Sequence, residues 1–204
     1  MIPFLETLLA LPFLAALAMV FLRGRSRGQV AWVAASAPLL GLALLAWMTP
    51  AVLQGWVPDA HHAWIPQIGL DFDLRLDGLA WMFAGLVLAI GALVVMYAHY
   101  YLSSEDSAPR FFGCLLLFMG SMLGVVIAGN LLLLMVFWEL TSISSFLLIG
   151  FWYKRQDARE GARMALAITG GGGLALLGGV LLIGRITGSY DLDVVLASGD
   201  LIRG

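Results

Sequence analysis

The sequence predicts an all-α integral membrane protein of six transmembrane helices, with a short β-hairpin in one extracytoplasmic loop. Three observations carry this. Of the 204 residues, 61% are hydrophobic and only 12% charged, where soluble domains run near 45–50% and about 25%. The apolar residues come in unbroken runs of about 20, the length a helix needs to cross a bilayer. One segment outside those runs, Leu70-Asp71-Phe72-Asp73-Leu74-Arg75-Leu76-Asp77, alternates strictly between apolar and polar, which is the period of a strand.

The first span covers Pro3 to Leu22, and Arg23, Arg25 and Arg27 follow it. Its first charge is Glu6 rather than a basic residue, so it reads as a retained helix and not as a cleaved leader. The second span is Val30 to Leu53. The loop that follows holds His61 and His62, expected on a solvated surface, and then Trp64 to Asp77 as the hairpin, whose apolar face caps the bundle. Asp77 stands as an N-cap for the third span, Leu79 to Leu102. That span ends in Tyr97, His99, Tyr100 and Tyr101; aromatic residues are the ordinary content of a membrane boundary, and the sharper reading puts His99 on a path of proton uptake.

The fourth span, Arg110 to Ala128, carries Gly120 and Gly124 at the spacing that lets a neighbouring helix approach closely. Gly129-Asn130 is a tight turn into the fifth span, and the sixth begins after Lys154, Arg155, Arg159 and Arg163 and runs to about Ile183. Asp157 and Glu160 have capping-box spacing at its start. Within it, Gly170 to Gly173 lack the Lys-Ser or Lys-Thr of a phosphate loop, and Gly171 and Gly179 read instead as a small-residue stripe for helix packing. The chain thus divides into 1–53 with two helices, 54–78 with the hairpin, 79–184 with four helices, and 185–204 as an extracytoplasmic segment leading to an absent next helix. This topology puts eight of the basic residues on one side and Arg75, Arg185 and Arg203 on the other, so the basic side is expected inside and both ends outside, in the cell (inner) membrane.

Chemistry concentrates in Asn130 to Tyr153. Glu139 lies about 12–14 Å into the hydrocarbon, where a charge is unfavourable by a few kcal/mol and is usually retained for use. Trp138, Thr141, Ser142 and Ser145 are read as a polar strip beside it. Desolvation favours the neutral carboxyl and a nearby cation the charged one, so a carboxylate that gains and loses such a neighbour is a proton switch. No basic residue of these spans is well placed to be that neighbour; Arg163 is nearest in kind. The net charge of −2 gives no argument for nucleic acid. The lone Cys114 excludes an internal disulfide and any CxxC centre. No hydrolytic triad, zinc helix, haem ligation or other cofactor motif is present, so covalent catalysis, a resident metal and a cofactor are not expected.

The run Asn130-Leu131-Leu132 with Phe137-Trp138-Glu139-Leu140-Thr141-Ser142-Ile143-Ser144-Ser145-Phe146-Leu147-Leu148-Ile149-Gly150 closely resembles the start of the large A-type component of Mrp-type multisubunit sodium/proton antiporters. Leu76-Asp77-Gly78-Leu79, the basic loop after the fifth span and the glycine-rich sixth also fit. The resemblance implies an antiporter-like helix bundle, here incomplete: an N-terminal portion of a longer chain. It implies that Glu139 is the essential glutamate of the fifth helix, working with a lysine on the seventh. It implies further that small hydrophobic Mrp subunits assemble with this one to exchange Na+ for H+. The proton-pumping membrane subunits of respiratory complex I share the Trp-Glu pair and the Leu-Leu-Ile-Gly run, and a redox-driven pump of the complex I or membrane-hydrogenase type is the alternative. Leu140-Thr141-Ser142 favours the antiporter. In a third reading, the chain is a membrane scaffold and Glu139 only a packing contact.

Overall fold

The computed structural model describes residues 4–103 and 105–200. Pro3, the first residue of the expected first span, and Arg203, expected outside, lie beyond them. Six helices are long and apolar enough to cross a membrane: α1 (Phe4–Phe21), α2 (Arg27–Leu53), α3 (Gly78–Tyr101), α4 (Ala108–Ile127), α5 (Leu131–Ile149) and α6 (Gln156–Thr187). Between α2 and α3, strands β1 (Asp59–Ile65) and β2 (Leu70–Arg75) form an antiparallel hairpin through a 3-10 turn at Pro66–Ile68, closed by Gly69 in the left-handed region at φ 74°. A short α7 (Leu192–Ala197) follows α6. The fold class expected from the sequence is the one observed.

The helices start where the sequence offers acceptors for their free N–H groups. Ser26 and Gln29 form a reciprocal capping box on α2. Asp77 Oδ1 accepts from Ala80 N at 2.8 Å on α3, as expected. On α6 the expected Asp157–Glu160 box does not form. The N-cap is Arg155, with no side-chain cap bond, so Asp157 stands inside the first turn and its carboxylate takes the Arg155 guanidinium at 2.6 Å. Glu160 accepts from Gln156 instead.

Helix α4 is the hub. Half of its membrane-length stretch is buried, against 11% for α6, and it packs on α1, α2, α3 and α5. Gly124 makes the α4–α5 approach possible: a Cβ there would stand 2.2 Å from the Phe137 ring, and one at Gly120 would stand 2.9 Å from Phe13. α6 packs on α5 and, at its far end, on α7 and Tyr190, and leaves most of its surface open. Gly171 and Gly179 lie on that open surface, where a Cβ would meet nothing within 4 Å. The expected packing stripe therefore contacts nothing among the described residues; the glycines of α6 that face α5 are Gly173 and, at ordinary contact distance from Ile149, Gly161.

The two ends of the bundle are built differently. At the basic end the Arg27 guanidinium donates to the Leu102 and Ser103 carbonyls at the foot of α3. Asp106 joins two loops, accepting from Ser103 and, at 2.9 Å, from Trp152 Nε1. Desolvation alone would push Asp106 up, but these bonds outweigh it and hold the carboxyl below the usual range. At the other end the hairpin departs from the expected pattern. β1 begins at Asp59, so His61 and His62 are strand residues. His61 meets Asp73, its cross-strand partner, and His62 meets Glu6 of α1 at 3.0 Å. Asp73 is buried although it falls on the polar side of the alternation, because Gly129 of the α4–α5 turn and the His61 ring pack against it.

Candidate functional site

The α5 helix is anchored at its N-terminus by Asn130, which is 2% exposed. Its Oδ1 accepts from Leu132 N and Leu133 N at 2.9 and 3.2 Å, and its Nδ2 donates to Gly69 O at 2.9 Å. Around it, Gly129 N donates to Asp73 O, Leu131 N to Tyr190 O and Leu192 N to Gly129 O, at 2.7–2.8 Å. The residues past α6 are thus docked on the α4–α5 turn rather than lying as a loose polar surface. Sequence reasoning took Asn130 only as part of a turn. An amide directly before an apolar run is an N-cap signal, but its bond to Gly69 spans 61 positions and has no local signature.

Below this anchor Glu139 stands at the α5–α6 seam, on the exposed side of α5. It lines a cleft of about 500 Å³ with Ile68 and Leu70 of the hairpin, Met135, Ile143 and Leu174. Apart from Glu139 the named walls are apolar. No salt bridge or side-chain hydrogen bond among the described residues involves Glu139. Arg163 is ten residues before Gly173, about 15 Å along α6, and so is not the neighbouring cation. The Trp138 indole Nε1, beside Glu139, is buried without a hydrogen-bond partner among the described residues.

Of the strip's hydroxyls, only that of Ser142, three residues after Glu139, lies toward its face. Residues two apart on a helix point to opposite sides, which puts Thr141 away from Glu139, and the strip runs along the Trp138 side. Thr141 Oγ1 and Ser142 Oγ both donate to the Trp138 carbonyl, at 2.6 and 3.4 Å, and Ser144 Oγ to Leu140 O at 2.6 Å. Ser142 and Ser144 are buried, while Thr141 and Ser145 are half-buried. These hydroxyls satisfy themselves on their own helix.

His99 occupies the last turn of α3, edge-on to Tyr100, and lines a separate cleft of about 590 Å³ between α2 and α3 with Trp32 and Met96. Its Nδ1 is buried without a partner among the described residues. α4 packs against both α3 and α5, and the walls of the two clefts share no residue. The structure does not bring His99 to Glu139.

Comparison with known proteins gives a consistent answer. Residues 64–112 match the model of "NADH-Ubiquinone oxidoreductase (complex I), chain 5 N-terminus", and residues 128–199 that of "NADH:quinone oxidoreductase/Mrp antiporter, TM". Over 98% of its length the chain is 53% identical to the A/B component of a probable K(+)/H(+) antiporter of Rhizobium meliloti, of which it covers 20%. Over 95% of its length it is 40% identical to the A1 component of a Na(+)/H(+) antiporter of Staphylococcus aureus, of which it covers 24%. The chain therefore spans about a fifth to a quarter of these relatives. Among solved structures it is similar to a chain of the Mrp complex from Dietzia sp., with TM-score 0.82 and 32% identity over 94% of this chain and 20% of that one. An archaeal membrane-bound sulfane sulfur reductase shares the fold, with TM-score 0.77 and 19% identity over 93% of this chain and 29% of that one.

Proposed function

We propose, for a chain that belongs to the family of Mrp-type antiporter A components, that it forms part of a monovalent cation/proton antiporter in which Glu139 takes up and releases the transported proton. One observation supports the assignment: the Glu139 carboxylate stands in an otherwise apolar cleft, on an open side of α5, with no cation beside it among the described residues. Such a group is retained in a membrane span at an expense of a few kcal/mol. Its affinity for a proton changes whenever a positive charge approaches. The open side is where the lysine implied by the family resemblance can arrive.

In this reading the chain is part of a transporter, not an enzyme. It lies in the cell membrane among other small hydrophobic Mrp-type subunits, with the basic end of the bundle inside and both ends of the chain outside. His99 takes up protons at the basic end. Because α4 stands between it and Glu139, it serves a separate step. Sodium is the cation the resemblance implies, while one relative is named for K+, so both ions belong in the test.

The test is proton flux in everted vesicles holding the complete complex. A pH-sensitive dye is followed as Na+ or K+ is added, for wild type and Glu139→Gln. Cation-triggered proton movement that the substitution abolishes is the expected result. Unchanged exchange by Glu139→Gln removes Glu139 from the path. Acidification driven by an electron donor, with neither cation acting, makes the complex a redox pump.

A further inference from the structure

We infer that Gly173 is a positioning residue for the Glu139 carboxylate: bare backbone at this point of α6 forms the seat of one carboxylate oxygen, and a side chain there would unseat it. The inference rests on the reading of Glu139 as the proton carrier.

The four consecutive glycines of α6 are alike in sequence and unlike in surroundings. A Cβ built on Gly170, Gly171 or Gly172 meets nothing within 4 Å. A Cβ on Gly173 would stand 2.1 Å from Glu139 Oε1, 3.3 Å from Glu139 Cδ and 3.4 Å from Trp138 Cδ1. Only the first separation is impossible. The atom in the way is the tip of a flexible side chain, so a methyl group is accommodated by swinging the carboxylate aside and not by parting α5 from α6. The backbone of Gly173 is ordinary helix, outside the left-handed region, so alanine suits it and is the better helix former. Gly173→Ala thus separates two effects that usually travel together. Packing and helix stability hold, while the carboxylate leaves its seat. Where proton transfer depends on geometry, a displacement of about 1 Å can lower a rate on the order of 100-fold.

The experiment is a double-mutant cycle in everted vesicles holding the complete complex, with Gly173→Ala combined with Glu139→Asp. The readouts are the amount of assembled complex and the pH profile of cation-driven proton exchange. Gly173→Ala is expected to assemble at wild-type level, to lower exchange by at least about tenfold and to displace the pH profile. On the Glu139→Asp background, where the shorter side chain no longer reaches the methyl, the same substitution is expected to lower exchange no more than about twofold. Equal losses on both backgrounds overturn the inference. So does an equal fall in Gly172→Ala, which would trace the effect to helix stiffness, or failure of Gly173→Ala to assemble, which would trace it to packing. A fully active Gly173→Ala beside an inactive Glu139→Gln overturns this inference alone. An active Glu139→Gln overturns the reading of Glu139 itself.

Discussion

Two stretches of one helix, a few turns apart, are built on opposite plans. At the N-terminus of α5 the polar groups are paired: Asn130 caps the helix and holds the hairpin turn at once. Beside it the Arg75 guanidinium meets Asp77 at 2.8 Å and Asp193 at 3.1 Å. In the middle of α5, the Trp138 indole N–H is buried without a hydrogen-bond partner among the described residues, and beside it the exposed Glu139 carboxylate has no ion pair among them. Satisfied polar groups hold a structure in one arrangement, whereas buried unsatisfied ones call for a specific explanation. The contrast suggests a division of labour under the proposed function: the hairpin end fixes where α5 sits, and the middle would keep a carboxylate without a fixed partner.

The largest effect that can break this division is on transport. Glu139→Ala should lower exchange by about 100-fold or more at unchanged complex yield, while Glu139→Asp should keep part of it, both read by dye in vesicles. Equal activity of the two would mean that the carboxylate is not the working group. The next effect is on stability. Asn130→Ala removes the cap, worth about 1 kcal/mol, and leaves the Gly69 carbonyl without its donor, at roughly 1–3 kcal/mol. It should lower the melting temperature of the purified complex. Asn130→Asp, which keeps the cap and loses only the Nδ2 donor, should lie between. If Asn130→Ala melts with wild type and Glu139→Gln does not, the two regions have exchanged roles.

Much of this was legible in the sequence, because its signals are local. The six spans, the hairpin and the Asp77 cap follow from run length, alternation and residue type. The singular carboxylate of Glu139 stands out against hydrocarbon without any tertiary information. What escaped depends on partners far along the chain. Nothing adjacent to Gly173 distinguishes it from Gly172; only the α5–α6 register puts one against Glu139 and the other in open space. The strip of Thr141, Ser142 and Ser145 follows Trp138, which they trail by three, four and seven residues; only Ser142 also has a spacing that shares a face with Glu139. The Asp157 cap failed because the helix begins two residues earlier than its spacing implies.

The smallest effect sharpens the comparison at the hairpin end, where one buried group is not fully at ease. Burial pushes the Asp73 carboxyl above its ordinary value. His61 pulls it down, and the Asp71 and Asp191 carboxylates push it further up. A carboxyl raised on folding binds its proton more tightly in the native state. Its stabilising contribution is therefore present below the unfolded value and is lost as pH rises through the folded one. Asp73→Asn cannot titrate, so its melting temperature relative to wild type should climb between about pH 4 and 7, reaching or slightly exceeding wild type at neutrality. The opposite slope, with the variant losing ground as pH rises, would mean that the His61 pair outweighs burial. Because Gly129 N donates to the Asp73 carbonyl, that result would put a charge pair directly beneath the start of α5.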